Sequence, residues 1–289
     1  FAPRLASYLG RKGFTITPKA SNDYIINLIH QILDQRRQHI ERRNDFIQIM
    51  VDHEENIEKE VQEKSENDKT STYQWNNLKK TLTDKEIVGQ AIVFFVAGYE
   101  TTSVLLSFFM YVMAIHPEIQ EKVHDEIRTV IGDDEVTHER VNELPYLDMV
   151  LNETMRIYPP VMRFDRVASS AYQLNDYQLP AGQIIGVPIY PIHHDPKTWP
   201  NPEQFIPERF SADEKAKRHP MSFLPFGDGP RSCIGMRFAL QEAKVAIVRA
   251  LRVVEIERCE KTEIPLQLSK LSIMSAKNGI WLRVSRRSQ

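Results

Sequence analysis

The sequence predicts a mainly α-helical protein with a small β subdomain, and three observations support this prediction. Apolar residues recur at helical spacing through most of the first half of the chain. Residues 161–191 hold short apolar runs around a Pro-Ala-Gly turn, which is typical of a small sheet. Residues 196–230 are rich in proline and predict irregular coil packed on a core. The 289 residues, of which 42% are hydrophobic and 26% charged, suffice for a large core.

The N-terminal part is predicted to be helical and then to become a polar connection. Residues 20–51 carry apolar side chains at helical spacing, so we expect a helix there. Residues 52–80 are polar and mix both charges, which indicates an exposed connection rather than a domain boundary. We therefore expect a single domain over 1–289. The net charge of −2 gives no basic field of the kind that binds nucleic acid.

A long helix is predicted to begin at the capping box Thr-Asp-Lys-Glu, residues 83–86, and to run to about residue 115, where His-Pro follows. Beyond its first turn the only charged residue is Glu100, so the segment also has the composition of a membrane span. Glu100, Thr101 and Thr102 near its middle are costly in lipid. They favour a central helix buried in a helical fold.

Three shorter helices and a terminal strand complete the predicted order of elements. Apolar periodicity predicts helices at 117–131, 145–158 and 236–255. An Asn-Gly pair at 278–279 predicts a turn ahead of a strand with the sequence IWLRV. These elements together give a mostly helical domain with a minor β part.

A single cysteine lies in the loop FLPFGDGPRSCIG, residues 223–235. Glycines on both sides leave room for a close approach to the backbone. Cys233 precedes a helix, where free backbone N–H groups and the helix dipole favour an anion. Arg231 and Arg237 add positive charge, so we expect the resting form to be the thiolate. A buried structural cysteine is the ordinary alternative.

The surroundings of Cys233 argue against several other kinds of site. A phosphatase loop needs an arginine six positions after the cysteine, where this chain has Ala239. Cys259 lies beyond a helix of about 20 residues, so the two sulfurs should not share a zinc ion or a disulfide. His193 and His194 are adjacent in a polar turn, and neighbouring side chains rarely converge on one metal. A single thiolate without protein co-ligands suits an iron held by a macrocycle, as in haem.

The chain is similar to the cytochrome P-450 family at four motifs, which follow in the family's order. They are Ala97-Gly-Tyr-Glu-Thr101, Glu153-x-x-Arg156, Pro207-Glu-Arg-Phe210 and Phe226-x-x-Gly229-x-Arg231-x-Cys233-x-Gly235. Stretches such as YLDMVLNETMR and CIGMRFAL look most like the animal family-3 xenobiotic and steroid hydroxylases. The resemblance implies the C-terminal part of the P-450 fold, with a long central helix, a Glu-x-x-Arg helix, the Cys loop and the helix after it. It also implies an incomplete domain, a fragment without the N-terminal portion and its membrane anchor.

The resemblance implies one cofactor and a set of residues that bind it. The cofactor is haem b, iron protoporphyrin IX, with Cys233 as the axial thiolate ligand of the iron. Arg166 and Arg231 are implied to pair with the haem propionates. Further cofactor-binding positions are Phe226, Gly235 and Ala97. Glu100 and Thr101 are implied as the catalytic residues, because they would deliver protons to dioxygen.

Two further groups of residues follow from the same resemblance. Glu153, Arg156 and Arg209 are implied to form a triad that supports the Cys loop, which is a structural role. The substrate-binding positions are Phe94, Phe95, Val161, Met162, Ile273 and Met274. Apolar side chains at these positions suit an apolar substrate, and ordinary core packing is the alternative for each of them.

The function implied is that of a haem-thiolate monooxygenase, which inserts one oxygen atom from dioxygen into apolar organic substrates such as xenobiotics, steroids or lipids. Electrons would come from NADPH through a separate reductase, and cytochrome b5 is a further candidate partner. The basic residues Lys215, Lys217 and Arg218 are candidates for docking the reductase. Residues 1–18 are a candidate membrane-surface contact. The implied location is the cytoplasmic face of the endoplasmic reticulum membrane.

Two other functions stay open at this point. A haem-thiolate enzyme that rearranges peroxides would not need the Glu100-Thr101 pair, and a dependence on NADPH and reductase separates it from a monooxygenase. A non-catalytic membrane or interaction protein built around residues 84–115 would bind no haem. We also expect this chain by itself to retain haem weakly, because the resemblance covers only part of the family's haem pocket.

Overall fold

The structure, a computed structural model, describes residues 18–67, 82–269 and 273–287, with only the backbone for 57–67. Contacts within the chain form two compact units, Phe1–Ala97 and Gly98–Gln289. The single domain expected over 1–289 therefore stays a prediction. The candidate membrane contact at 1–18 lies, except for Pro18, outside the described residues.

The described elements are mostly helical, as predicted. The helices are α1 (Lys19–Arg37), α2 (Phe46–Asn67), α3 (Asp84–Ile115), α4 (Pro117–Val130), α5 (Pro145–Ile157), α6 (Ile189–His193), α7 (Ala212–Ala216) and α8 (Met236–Leu251). The strands are β1 (Phe164–Val167), β2 (Tyr172–Leu174), β3 (Tyr177–Leu179), β4 (Ile184–Val187), β5 (Val254–Arg258) and β6 (Leu282–Arg286).

The first unit contains the helix pair α1–α2 in place of the unbroken helix predicted over 20–51. After Arg37 the chain passes through His39, whose φ of 56° does not fit a helix. Asp45 then caps α2, because its carboxylate accepts the backbone N–H of Gln48 at 2.9 Å and the guanidinium of Arg36 at 3.0 Å. The buried core of this unit consists of Ile29, Leu33, Val51, Ile87 and Val88.

The connection predicted over 52–80 begins as a continuation of helix α2. Residues 52–67 are helical rather than irregular. Their many Glu, Lys and Gln residues explain this, because these straight-chain residues extend a helix at little cost. Residues 68–80 lie outside the described part of the chain.

Helix α3 begins with the predicted capping box. The backbone N–H of Thr83 donates to Glu86 Oε2 at 2.8 Å, and the Glu86 N–H donates to Thr83 Oγ1 at 3.4 Å. The helix ends at Ile115, ahead of the His-Pro pair, as predicted. Its two halves differ in exposure: residues 93–99 are exposed, whereas most of residues 108–114 are buried.

This difference corrects the prediction of a buried central helix. The prediction holds for the second half of α3 and is wrong for the first half. In the described part of the chain, α3 is the one helix that is long and apolar enough to cross a membrane, by length and composition alone.

The second unit has its core where the end of α3 meets α4, α5, α8 and β5. Helix α4 buries Ile119, Val123 and Ile127, which recur at helical spacing along one face. Helix α5 starts at the carboxylate of Glu126, which accepts the backbone N–H groups of residues 146 and 147 at 2.7 and 2.9 Å. Eight of the thirteen residues of α5 are buried, so this helix lies at the centre of the unit.

The strands pair two by two and antiparallel in the described part of the chain: β1 with β4, β2 with β3, and β5 with β6. The helix predicted over 236–255 is shorter than expected. It ends at Leu251, and Val254 begins β5 opposite Arg286. β-branched Val254 and Ile256 favour the strand, so the predicted helix was four residues too long at its C-terminal end.

Candidate functional site

The Cys loop, residues 223–235, joins the irregular segment before it to helix α8. Three hydrogen bonds join backbone groups within the loop. The Gly227 N–H donates to the Leu224 carbonyl at 3.1 Å, the Ser232 N–H to that of Gly229 at 3.0 Å, and the Cys233 N–H to that of Phe226 at 2.9 Å. Gly227 has a φ of 69°, a conformation that favours glycine. Gly235 is the N-cap of α8, so Cys233 lies just before the helix, as expected.

Cys233 is exposed, so it is not the buried structural cysteine that was the ordinary alternative. It lines a cavity of about 240 Å³ within the second unit. The other residues that line this cavity are Thr101, Thr102, Leu105, Met155, Pro160, Val161, Phe164, Arg166, Ile189, Pro225, Phe226, Gly227, Arg231 and Ala239. Most of these side chains are apolar, so the cysteine faces an apolar space.

Two arginines line the same cavity and supply its positive charge. The guanidinium of Arg166 lies 4.3 Å from the ring centre of Phe164. It donates to the carbonyls of Asp165 and Asp228, at 3.1 and 3.2 Å. Arg231 lies in the short 3-10 turn Gly229–Arg231, two residues before the cysteine. The geometry therefore brings both predicted arginines to the cavity that Cys233 lines.

The three residues of the predicted triad contact one another in the second unit, and all three are buried. Glu153 and Arg156 are 0% exposed. Arg156 donates through Nε to Glu153 Oε2 at 2.7 Å and through Nη2 to Oε1 at 2.9 Å. Arg209 Nε lies 3.4 Å from Glu153 Oε1, and the Ile206 backbone N–H donates to the same oxygen at 2.9 Å. Every part of the carboxylate therefore has a partner, as buried charge requires.

Arg156 also binds backbone carbonyls from the chain that surrounds it. Its Nη1 donates to the carbonyl of His193 at 2.9 Å, and its Nη2 donates to that of Pro202 at 2.8 Å. Burial raises the pKa of Glu153, although the neighbouring Arg156, Arg209 and Ile206 N–H work in the opposite direction. Burial also lowers the pKa of Arg209.

The structure brings some of the predicted substrate positions together. Val161 lines the cavity, and Ile273 pairs with it in an isolated antiparallel bridge. Met274 is fully buried, and its backbone N–H donates to the carbonyl of Pro160 at 3.0 Å. The Met162 carbonyl accepts the Tyr190 N–H at 3.1 Å. The segments 160–162 and 273–274 are thus neighbours at one wall of the cavity.

Other predicted positions lie elsewhere in the described residues. Phe94 and Phe95 belong to the first unit and are exposed there, and the Phe94 ring lies 4.4 Å from that of Phe46. Ala97, the last residue of that unit, is also exposed. Glu100 is exposed in the second unit, whereas its neighbour Thr101 lines the cavity.

One prediction about a polar group needs correction, and one about a basic group stays a prediction. His193 was expected in a polar turn, but it is fully buried at the end of α6. Arg218 was a candidate for docking a reductase, but its guanidinium lies 4.4 Å from the ring centre of Trp199, which is buried. Lys217 forms an ion pair with Glu214 at 2.5 Å. The docking role of Lys215, Lys217 and Arg218 therefore stays a prediction, with Arg218 also packed on Trp199.

Sequence reasoning missed several residues that line the cavity. They are Thr102, Leu105, Met155, Pro160, Ile189, Pro225, Gly227 and Ala239. Thr102 and Met155 directly follow or precede motif residues, so their positions carried a signal. Ile189 and Leu105 carried none, because an apolar residue on a helix has the same pattern whether it packs in a core or lines a cavity.

The donor set fits a haem. A single cysteine at the cavity suits axial ligation of iron, and apolar walls suit a macrocycle. Arg166 and Arg231 suit the two carboxylates that such a ring carries. Gly227 has no Cβ, and one built on it would meet Phe164 at 3.7 Å and Arg166 at 3.8 Å.

Residues 3–283 match the family model described as Cytochrome P450. The chain belongs to the cytochrome P450 family. Among curated relatives it is 38% identical over 289 residues to cytochrome P450 3A13 of Mus musculus. The matched region covers 99% of this chain and 54% of the relative. It is 40% identical over 272 residues to cytochrome P450 3A2 of Rattus norvegicus, covering 92% and 50%. It is 39% identical over 289 residues to cytochrome P450 3A7 of Homo sapiens, covering 99% and 54%.

These matches confirm the predicted family and its mainly helical fold, and they confirm the resemblance to family-3 members. Membership of the cytochrome P450 family implies a haem cofactor with a cysteine thiolate ligand. The chain spans about half the length of the curated relatives it matches.

Proposed function

We propose that this chain forms the haem- and dioxygen-handling part of a monooxygenase that inserts one oxygen atom from dioxygen into apolar organic molecules. One observation carries the proposal. Cys233 lines an apolar cavity together with Thr101, Arg166 and Arg231. Xenobiotics, steroids and lipids are the substrate classes that such a cavity suits.

The Cys233 thiolate would hold the haem iron as its axial ligand. When bound, the haem supplies the redox chemistry that activates dioxygen. Hydrogen bonds within the Cys loop, including those of the Gly227 and Cys233 N–H groups, keep the cysteine in place. Arg166 and Arg231 would bind the haem carboxylates, and the ring of Phe164 beneath Arg166 keeps that guanidinium oriented.

Glu100 and Thr101 would carry protons into the site. Glu100 is exposed, whereas the next residue, Thr101, lines the cavity. A carboxyl group at the surface followed by a hydroxyl at the cavity can pass a proton from solvent inward. Leu105, Val161 and Ile189 exclude water from the other walls.

The electrons would come from NADPH through a separate reductase, with cytochrome b5 as a further donor. Family-3 resemblance supports a location on the cytoplasmic face of the endoplasmic reticulum membrane. Dependence of turnover on NADPH and reductase is expected. Turnover that needs only a peroxide substrate would favour the peroxide-rearranging alternative.

The test of the proposed function is the spectrum of the reduced protein with carbon monoxide. We expect the far-shifted Soret band of a thiolate-ligated haem, lost in Cys233→Ala and kept in the matched control Cys259→Ala. An unchanged band in Cys233→Ala would contradict the proposal. The measurement is made on this chain and on a form extended at its N-terminus to the length of the relatives, with weaker haem retention expected for this chain alone.

A further inference from the structure

His193 is a fully buried side chain that contacts both the triad and the Cys loop. It ends the short helix α6 and is 0% exposed. Its backbone carbonyl accepts the Nη1 of Arg156 at 2.9 Å. On its other side, the ring Nε2 accepts the backbone N–H of Leu224 at 2.8 Å. One residue therefore joins a member of the triad to the second residue of the loop.

The contact with Leu224 fixes the chemical form of the ring. A ring nitrogen that accepts an N–H carries no proton, so the imidazole is neutral and its hydrogen is on Nδ1. Burial, helped by the neighbouring charges of His194 and Arg156, lowers the pKa of His193 to about 3, although the carbonyl groups of residues 155 and 156 oppose this. The acceptor is thus present throughout the neutral pH range.

A continuous path of hydrogen bonds leads from Leu224 to the cysteine. The Leu224 carbonyl accepts the Gly227 N–H at 3.1 Å, which closes the first turn of the loop. Phe226, at the end of that turn, accepts the Cys233 N–H at 2.9 Å. These bonds and the one from His193 fix the start of the loop, together with the packing of Phe223.

We propose that His193 is a positioning residue, whose neutral imidazole couples the buried triad to the Cys loop and so sets the place of the Cys233 sulfur at the cavity. The role of that sulfur as an iron ligand rests on the proposed function. The coupling of His193 to the loop is a property of this chain's own hydrogen bonds and is measurable without haem.

Plain packing is the rival explanation for His193. Its ring lies 5.1 Å from that of Phe223, and Phe223 lies 4.7 Å from Phe210, so the three form an aromatic cluster. Two substitutions separate the explanations. His193→Phe keeps an aromatic ring and removes the acceptor, whereas His193→Gln removes the ring and keeps an oxygen that can accept from Leu224.

The adjacent histidine offers a matched control. The Nδ1 of His194 bonds to the carbonyl of Tyr190 at 2.8 Å, and its ring stacks on that of Tyr190 at 4.0 Å. It is mostly buried like His193, but the described structure gives it no bond to the Cys loop. His194→Phe should therefore leave the loop as it is.

The first measurement is hydrogen exchange of backbone amides in the full chain without haem. We expect His193→Phe to speed exchange at Leu224, Gly227 and Cys233 by about tenfold, because a buried N–H loses its acceptor. The buried amide of Val150 in α5 should be unchanged. His193→Gln and His194→Phe should stay within about twofold of the wild type at all four amides.

The second measurement is the reduced carbon monoxide spectrum of the same proteins with haem. The share of thiolate-ligated haem should fall at least twofold in His193→Phe and recover in His193→Gln. A ring needed only for packing would give the opposite order, with His193→Gln the more damaged variant, and this would overturn the proposal. Equal behaviour of both variants at the loop amides would also overturn it.

The two measurements test the proposed function and the role of His193 independently. If the wild type shows no thiolate band, the proposed function is wrong, and the amide exchange still decides the role of His193. If His193→Phe does not fold, His193→Gln decides alone: fast exchange at Leu224 would overturn the proposal, and slow exchange would support it.

Discussion

The triad and the Cys loop are two parts of one site that differ in almost every physical respect. Glu153 and Arg156 are wholly buried, and the guanidinium and carboxylate bind each other and the backbone around them. Cys233 and Arg231 are exposed, and the loop that carries them is held by its own backbone bonds and by contacts from His193 and Arg166. The buried charges contact one another and the backbone around them, whereas Cys233 and Arg231, which are proposed to bind the haem, line the cavity and stay exposed.

Two ion pairs with the same spacing in the sequence show that spacing does not reveal how much an ion pair contributes to stability. Glu153 and Arg156 are three residues apart on α5, and Asp125 and Arg128 are three apart on α4. The first pair is 0% exposed on both sides, and the second is 71% and 53% exposed for arginine and aspartate. Water screens the second pair, so the two should differ strongly in energy.

The largest expected effect tests this contrast directly. Arg156→Met should lower the free energy of unfolding by about 3–5 kcal/mol, because it leaves the buried Glu153 without its main partner. The matched change Arg128→Met should lower it by less than about 1 kcal/mol. Urea denaturation followed by circular dichroism measures both. Losses of equal size would break the contrast between buried and exposed pairs.

The second effect is a loss of stability at low pH, to which the buried His193 should contribute. The pKa of this ring is about 3 in the folded chain, against the ordinary 6.5. Between these values the unfolded chain binds a proton that the folded chain does not, so stability falls as the pH falls. His193 should account for about 1.4 kcal/mol per pH unit below pH 6.5, or about 2 kcal/mol by pH 5.

Urea denaturation of the wild type and of His193→Gln at several pH values measures this contribution. The substitution should flatten the acid slope by that amount, since it removes the group that must stay neutral. His194→Gln, measured in the same way, gives the contribution of the neighbouring histidine, whose pKa burial also lowers. A His193→Gln protein with the wild-type slope would show that the ring takes up its proton without unfolding.

The third effect is confined to the loop. Gly227→Ala should cost about 1–2 kcal/mol, because its φ of 69° is strained for a residue with a Cβ. The neighbours of that Cβ stand at ordinary contact distances, so backbone strain dominates. Gly89→Ala, in helix α3 with nothing near its Cβ, should instead stabilise by about 0.5–1 kcal/mol. Thermal unfolding that moves both variants in one direction would contradict this account.

The smallest expected effect on stability is that of Arg166→Ala. This arginine is half-buried and bonds only to carbonyl groups in the described structure, so the loss should stay below about 1 kcal/mol. Haem should nevertheless dissociate several-fold faster, since a carboxylate partner is removed. Arg163→Ala, on the same strand region with its own partner Asp165, is the control. A large stability loss without faster haem release would assign Arg166 to the fold rather than to the cofactor.

Much of the fold was predictable because its signals are local. The capping box at Thr83, the His-Pro stop after Ile115 and the amphipathic face of α4 each depend on residues close in sequence. The break at 38–45 and the early end of α8 were missed. His39 adopts its left-handed conformation between two helices that pack in one unit, and Val254 leaves the helix to pair with β6. The early end of α8 depends on a strand that is distant along the chain, whereas the break depends on nearer contacts such as that of Arg36 with Asp45.

The sequence by itself determined the family, the cysteine, the triad and the arginines of the site, because each is written as a fixed residue at a fixed spacing. Only the tertiary structure decided which helix half is buried, which apolar residues line the cavity, and that His193 joins the triad to the Cys loop. The reason is physical: burial and hydrogen-bond partners come from segments far apart in the chain, and residue type and periodicity do not record them.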